Sequence, residues 1–257
     1  MGFRIKNLSF SYEDNKVIDK ISLCLEPGRF YGIIGPNGCG KSTLLDLLTG
    51  QIRPAAGSVV FMGKDISEYS KKELSRLIAL VPQNFYINFA FTAWEIVLMG
   101  RYPHIPRFSA PASEDLEIVA GIMAKTGTAR FQNRFITELS GGERQRVVFA
   151  RALAQDADVL ILDEATSNFD INHSMGMLNL AAEGVEKNGK TVITVLQDIN
   201  LAAIFCEYLI FIKNGQVAAY GKTNEILSEN TIKSVFNVNA KVYQDSYSNS
   251  RQVVFRR

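Results

Sequence analysis

Nine consecutive residues, Gly35-Pro36-Asn37-Gly38-Cys39-Gly40-Lys41-Ser42-Thr43, fit G-x-x-x-x-G-K-[ST], a spacing that lets a backbone wrap an anion. The glycines allow successive N–H groups to turn inward. The lysine is then placed to reach the β and γ phosphates of a nucleoside triphosphate, and the Ser42 hydroxyl to bind Mg²⁺. Complementary chemistry stands at Asp163-Glu164, two adjacent carboxylates closing the apolar run Val159-Leu160-Ile161-Leu162. Asp163 is expected to hold the Mg²⁺ shell, and Glu164 to polarise an attacking water as general base. A second glycine-rich turn, Leu139-Ser140-Gly141-Gly142-Glu143-Arg144-Gln145, opens a helix but has no lysine and no acidic strand end of its own. Ser140, Gly141, Gly142 and Glu143 therefore make half a phosphate site. The two turns cannot belong to one nucleotide site within one chain, so ATP is expected to close between two copies.

The elements that must position these residues are readable around them. Tyr31 to Ile34 is an apolar strand, and Ser42 to Leu48 a helix that stops at Gly50, which puts the first glycines on a strand-to-helix turn. Val159 to Leu162 reads as a strand buried on both faces of a parallel sheet, whose carboxyl end is where ligands bind in open α/β folds. A second such strand runs from Thr191 to Val195, after a helix from His173 to Lys187 stopped by Asn188-Gly189. Strand material also fills Phe3 to Tyr12, Val17 to Leu25 and Ser58 to Met62, and Tyr208 to Ile212 with Gln216 to Tyr220 make a hairpin about Asn214-Gly215. Between them, 84–132 changes character, with helical patterns at Thr92 to Met99 and after a cap near Ser113. This stretch reads as a helical subdomain inserted between two halves of a nucleotide core, 1–83 and 133–221. The remaining 222–257 is an extension with a short helix pattern and a Tyr/Ser-rich tail.

Composition narrows the class. With 257 residues, 47% hydrophobic content and a formal charge of +2, the chain can bury a proper core and carries no nucleic-acid footprint. No run approaches the ~18 apolar residues of a membrane span, and Met1 to Lys6 lacks the apolar core of a signal peptide. The three cysteines, Cys24, Cys39 and Cys206, show no metal-ligand spacing and suit a reducing cytosol. Cys39 lies within the first glycine loop, where the following helix N-terminus is expected to favour its thiolate and make alkylation inhibitory.

These motifs, in this order, resemble the ATP-binding subunit of an ABC transporter over nearly the whole chain. The resemblance implies a single ABC ATPase domain spanning 1–257: an α/β phosphate-loop NTPase core with an N-terminal antiparallel β subdomain and an inserted α-helical subdomain. It assigns Tyr12 to adenine stacking, Gln83 to sensing Mg²⁺ and water, Leu139 to Gln145 to the signature that closes on the partner's γ-phosphate, and Ser167-Asn168-Phe169-Asp170 to the D-loop. It also implies a homodimer with two sandwiched ATP molecules, two membrane-spanning permease subunits, an indirect link to a substrate-binding protein, and a peripheral place on the cytoplasmic face of the inner membrane. The stretch Phe91 to His104 is similar to that of subunits energising uptake of metal chelates: ferric siderophores, haem and cobalamin, with molybdate relatives. Its exposed candidates for permease contact are Tyr86, Arg101, Tyr102 and His104, while Trp94, Ile96, Val97 and Met99 read as subdomain core.

Two positions depart from the family pattern. Gln197 stands where a histidine is usual, followed by Asp198 as helix N-cap; an amide donates a hydrogen bond but neither becomes cationic nor shuttles a proton. The D-loop reads Asn168-Phe169 where Ala-Leu is usual. Two rival readings follow: an ATP-gated binding module with little turnover, and a non-transport ABC ATPase. Proteins of the second kind usually carry tandem cassettes or coiled-coil insertions; this chain has one phosphate loop and no heptad array.

Overall fold

The computed structural model describes residues 2–85, 89–165 and 170–256. They fall into two compact units, one formed by Met1–Tyr69 with Ala182–Arg257 and the other by Ser70–Ala181. The first opens with β1 (Phe3–Tyr12) and β2 (Asn15–Leu25), followed by β3 (Phe30–Ile34), α1 (Lys41–Leu48), β4 (Ala56–Phe61) and β5 (Lys64–Asp65). β1 alternates at its start, with Phe3 and Ile5 buried and Arg4 and Lys6 exposed, as a strand covered on one face requires. It lies antiparallel to β2 and β4, and the sheet order is β2-β1-β4-β5. Phe3 and Phe61 stack at 4.4 Å within this sheet's core.

The second unit runs through α2 (Lys71–Leu77), β6 (Ile78–Val81), α3 (Ala93–Leu98), α4 (Ser113–Lys125), α5 (Gly141–Ala154), β7 (Val159–Asp163) and the first part of α6 (Ile171–Asn188). β6 and β7 pair in parallel from Ile78↔Val159 to Val81↔Leu162. Ile96, Val97, Val119, Met123 and Val147 bring α3, α4 and α5 onto one core. Three helices of the unit, α2, α3 and α5, start with reciprocal capping boxes written in the sequence, Ser70 with Glu73, Thr92 with Glu95 and Ser140 with Glu143. α4 differs from expectation: Ala112 holds the cap position, and its N–H is taken by Asp115 at 3.1 Å. The expected insert, 84–132, lies wholly inside this unit, which also takes in 70–83 and 133–181.

The chain returns to the first unit with β8 (Thr191–Val195), α7 (Ile199–Phe205), β9 (Tyr208–Lys213), β10 (Gln216–Lys222), α8 (Thr223–Ile226), α9 (Glu229–Phe236), β11 (Ala240–Asp245) and β12 (Ser250–Phe255). β3 lies between β8 and β9, parallel to both, and all five residues of β3 and of β8 are buried. A strand covered on both faces reads as a largely apolar run; β3 does so, and β8 buries Thr191 and Thr194 among Val192, Ile193 and Val195. β9 and β10 form the expected hairpin, with Asn214 and Gly215 at φ +50° and +74°. The tail, by contrast, holds a second hairpin, β11–β12. It is pinned to α7 by the Asn200 amide, which donates to Val253 O at 3.3 Å and accepts from Val253 N–H at 2.8 Å.

Candidate functional site

The glycine loop of the first unit leaves buried β3 and ends on α1. Gly40, the N-cap, adopts φ +102° and contributes no capping side chain; a Cβ there would stand 2.8 Å from Val17 O and from Ile18 Cδ1. At Gly35 a Cβ would come within 2.2 Å of Ile212 O. Both glycines are therefore required by close backbone approach. The Lys41 side chain is buried, and its Nζ donates to Gly35 O and Pro36 O, each at 3.0 Å, so the ammonium arches back over the loop. Asn37, Gly38 and Ser42 are on the open side and Thr43 is buried beneath. Such a cradle, a helix N-terminus with an arched lysine and no side chain of its own in the cap, fits a polyphosphate. Tyr12 ends β1 half-exposed, with its ring edge-on to Phe10 at 4.8 Å, an open aromatic face of the kind a base stacks upon.

Cys39 corrects an expectation. It is only 7% exposed, and burial raises its thiol pKa above the ordinary value even though the Lys41 charge pulls the other way. Desolvation, which disfavours the thiolate, outweighs the helix end.

In the second unit β7 delivers Asp163 at its end and Glu164 just beyond. Glu164 sits at φ +46°, left-handed for a residue with a Cβ, and its carboxylate accepts from Gln83 Nε2 at 2.7 Å across 81 positions of sequence. Two residues named separately from the sequence are thus brought into contact. Gln145, on the signature helix α5, donates to Pro82 O at 3.1 Å and so fixes α5 against the residue before Gln83. That contact has no sequence signal beyond the motif itself. At the α5 N-terminus, Glu143 N–H donates to Ser140 Oγ at 3.3 Å, while Ser140 N–H and Oγ donate to Glu143 Oε2 at 3.0 and 2.9 Å. These bonds hold the Glu143 carboxyl below its usual pKa, with Arg134 and Arg130 adding to the effect. Gly141 and Gly142 follow as the first helical residues.

Of the remaining expected residues, Gln197 is exposed two residues after β8, and Asp198 caps α7 as anticipated, accepting from Asn200 and Leu201 N–H at 2.8 and 3.1 Å. Asp170 accepts from His173 N–H at 2.9 Å and lies against its Nδ1, contacts that lower the carboxyl pKa. Ser167, Asn168, Phe169 and Tyr86 lie outside the described residues. Arg101 is not the exposed contact it was expected to be: its side chain is 9% exposed, ion-paired to Asp115 at 2.9 Å and bonded to Ala154 O at 2.9 Å. His104 is likewise held, its Nε2 2.8 Å from Gln155 O, and only Tyr102 is plainly exposed. Ile96 and Val97 are core, and Trp94 and Met99 pack partly buried against it.

A groove of about 1050 Å³ opens beside these residues, with Leu98, Met99 and Ile105 among its lining. Arg151 of α5 lines it, a residue no motif singled out.

Comparison with known proteins bears on the whole chain. A family model described as ABC transporter matches residues 18–167. The cobalamin import ATP-binding protein BtuD of Halobacterium salinarum is 38% identical over 245 residues, which is 95% of this chain and 61% of that protein, so the chain spans about three fifths of this relative's length. A metal-chelate type ABC transporter in an inward-facing conformation matches with a TM-score of 0.84 and 29% identity, over 100% of this chain and 97% of its own. The dimeric ATP-binding cassette MJ0796, in a post-hydrolysis state bound to ADP and Pi, matches with a TM-score of 0.77 and 29% identity over 86% of this chain and 98% of its own.

Proposed function

Because the chain belongs to the ABC transporter family, we propose that it is the ATP-binding and ATP-hydrolysing subunit of an importer for a metal chelate, that is a ferric siderophore, haem, cobalamin or a related oxyanion, driven by ATP-dependent closure of a homodimer. The observation that carries the enzymatic part is the Gln83–Glu164 hydrogen bond of 2.7 Å. It sets a carboxylate and an amide side by side at the end of the strand that carries Asp163, as water activation requires. The cargo class follows from likeness to a cobalamin import subunit and to a metal-chelate type transporter.

In this reading Gly35 to Thr43 grip the phosphates, Tyr12 stacks on the adenine, and Lys41 draws charge off the β and γ phosphates. Glu164 orients and deprotonates the attacking water, and Gln197 donates an N–H to the γ-phosphate. Ser140, Gly141, Gly142 and Glu143 of the partner copy close the other side, aligned by the D-loop around Asp170. Ser42, Gln83 and Asp163 offer the hard oxygen donors that suit Mg²⁺, which when bound neutralises phosphate charge. The core of 1–83 and 133–221, the insert 84–132 and the extension 222–257 remain the functional divisions of one domain. Among the described residues no helix is long and apolar enough to cross a membrane. On the importer reading the subunit works at the cytoplasmic face of the membrane, beneath two permease subunits that receive cargo from a substrate-binding protein. The groove lined in part by Leu98, Met99 and Ile105 is the surface offered to a short cytoplasmic helix of each permease. Nucleic acid has no part in it.

The test is Glu164→Gln, which keeps the shape and removes the base. Turnover is expected to fall at least 100-fold, or ~3 kcal/mol in the barrier, with ATP still bound and a dimer accumulating in ATP-Mg²⁺ on size-exclusion chromatography. A monomer peak that does not move counts against the sandwich. Gln197 supports a second reading, a nucleotide-gated module with little turnover, because an amide cannot shuttle a proton. Sustained ATP hydrolysis by the natural protein would remove it.

A further inference from the structure

The C-terminal hairpin is held at both edges by helices. In an antiparallel ladder, paired residues that exchange no hydrogen bonds turn their N–H and C=O groups outward, and Val242 opposite Val253 is such a pair. On one edge the Val242 N–H donates to Glu229 Oε1 of α9 at 3.3 Å. On the other, the Asn200 amide of α7 takes both outward groups of Val253, accepting from its N–H at 2.8 Å and donating to its O at 3.3 Å. A single side chain thus stands in for the next strand. Arg251 adds a bond from Nη1 to Leu227 O at 2.6 Å, just after α8, so the hairpin is fixed independently of α7.

The helix it grips is short. With seven residues α7 has too few internal bonds to hold itself in water, and its place depends on what it is tied to. Its first turn is tied from within by the Asp198 carboxylate, which accepts from Asn200 and Leu201 N–H, and from without by the Asn200 latch. Asp198 directly follows Gln197. On the upstream side, Leu196 N–H donates to Ile33 O at 3.3 Å, so β8 delivers the chain beside β3, whose end opens the phosphate loop. Gln197 therefore stands between two anchors, a main-chain bond to β3 before it and a latched helix turn after it. Displacing a reacting group by about 1 Å can cost 100-fold in rate, so the downstream anchor bears on the chemistry. We infer that Asn200 is a positioning residue for ATP hydrolysis, using the C-terminal hairpin as a strut that fixes the first turn of α7 and with it the place of the Gln197 amide. The inference rests on the reading of Gln197 as a donor to the γ-phosphate and adds what aims it.

The test uses the full chain and two readouts, ATP turnover at saturating nucleotide and ATP affinity by titration. Asn200→Leu keeps the bulk and removes both bonds: turnover should fall about 5-fold while affinity stays within about 2-fold. Asn200→Asp keeps the acceptor for Val253 N–H but sets a carboxylate against Val253 O, and should lose at least as much turnover. Gln197→Ala alone should lose about 10-fold, and adding Asn200→Leu to it should cost no more than about 2-fold further, because the latch then has nothing to aim. A merely structural role would instead multiply the two losses. Natural turnover in Asn200→Leu, affinity falling in step with turnover, or losses that multiply overturns the inference. If Gln197→Ala hydrolyses ATP at the natural rate, the reading of Gln197 fails first, and the inference falls with it.

Discussion

The N-termini of α1 and α5 are both glycine-rich, the glycines lying before the first helix and inside the second, and they are finished in opposite ways. α1 begins at Gly40 with no capping side chain, and a buried lysine arches back over the loop. α5 begins at Ser140 with a closed capping box, in which its own Glu143 carboxylate takes the place an anion favours. In the function proposed above, the first end receives a foreign phosphate by itself, and the second, self-satisfied and exposed, meets the phosphate held by a partner copy. A helix dipole alone thus does not define a binding site; what occupies the cap decides whether the site is complete.

The sharpest way to break this comparison is to remove the cation that distinguishes the first end. Lys41→Ala should weaken ATP binding by at least 100-fold, about 3 kcal/mol in isothermal titration, because two or more charge-assisted bonds are lost. Ser140→Arg, which fills the second end, should leave that affinity within about 2-fold while turnover drops some 30-fold and the ATP-dependent dimer disappears. Equal loss of ATP affinity in the two variants would mean the ends are not different in kind.

Gln197→His sharpens the picture within the first unit. Histidine adds a group titrating near its unperturbed pKa of about 6.5, whereas glutamine has none, so the variant's pH–rate profile should bend in mildly acidic solution and the natural one stay flat. Turnover should rise about 10-fold, ~1.4 kcal/mol off the barrier. A matching or lower rate with an unchanged profile shows a site adapted to glutamine. The smallest effect concerns Cys39. With its thiol pKa raised by burial, the thiolate is scarcer at neutral pH than in an ordinary cysteine and grows as pH climbs past the usual thiol range. Iodoacetamide followed by mass spectrometry should label exposed Cys24 severalfold faster than Cys39, the gap narrowing at high pH. Equal rates at pH 7.5 would contradict the burial.

What could be read from the chain alone was the chemistry that lies on short local spacings. The phosphate loop, Asp163-Glu164 and the Ser140 turn are contiguous strings whose backbone demands fix residue type, and β3, β7 and β8 are rich in apolar and β-branched residues, Thr191 and Thr194 among them, because strands buried on both faces favour such side chains. The capping boxes of α2, α3 and α5 lie on an equally short spacing, three residues between partners, yet in that unit only a cap near Ser113 was expected, and there Ala112 holds the position. Everything that depended on exposure or on distant partners was decided only by tertiary structure. Arg101 is an ordinary surface letter until Asp115 and Ala154 O close on it, and Arg151 is another until the Phe85 ring lies against its guanidinium. The same holds for Cys39, where a local rule about helix ends predicted a thiolate and the packing of the loop removed the solvent that a thiolate needs. The tail became a hairpin latched by Asn200 to Val253, 53 positions away. Local sequence specifies the groups that bond to their own neighbourhood; solvation and long-range pairing belong to the folded chain, because water is displaced only when remote segments meet.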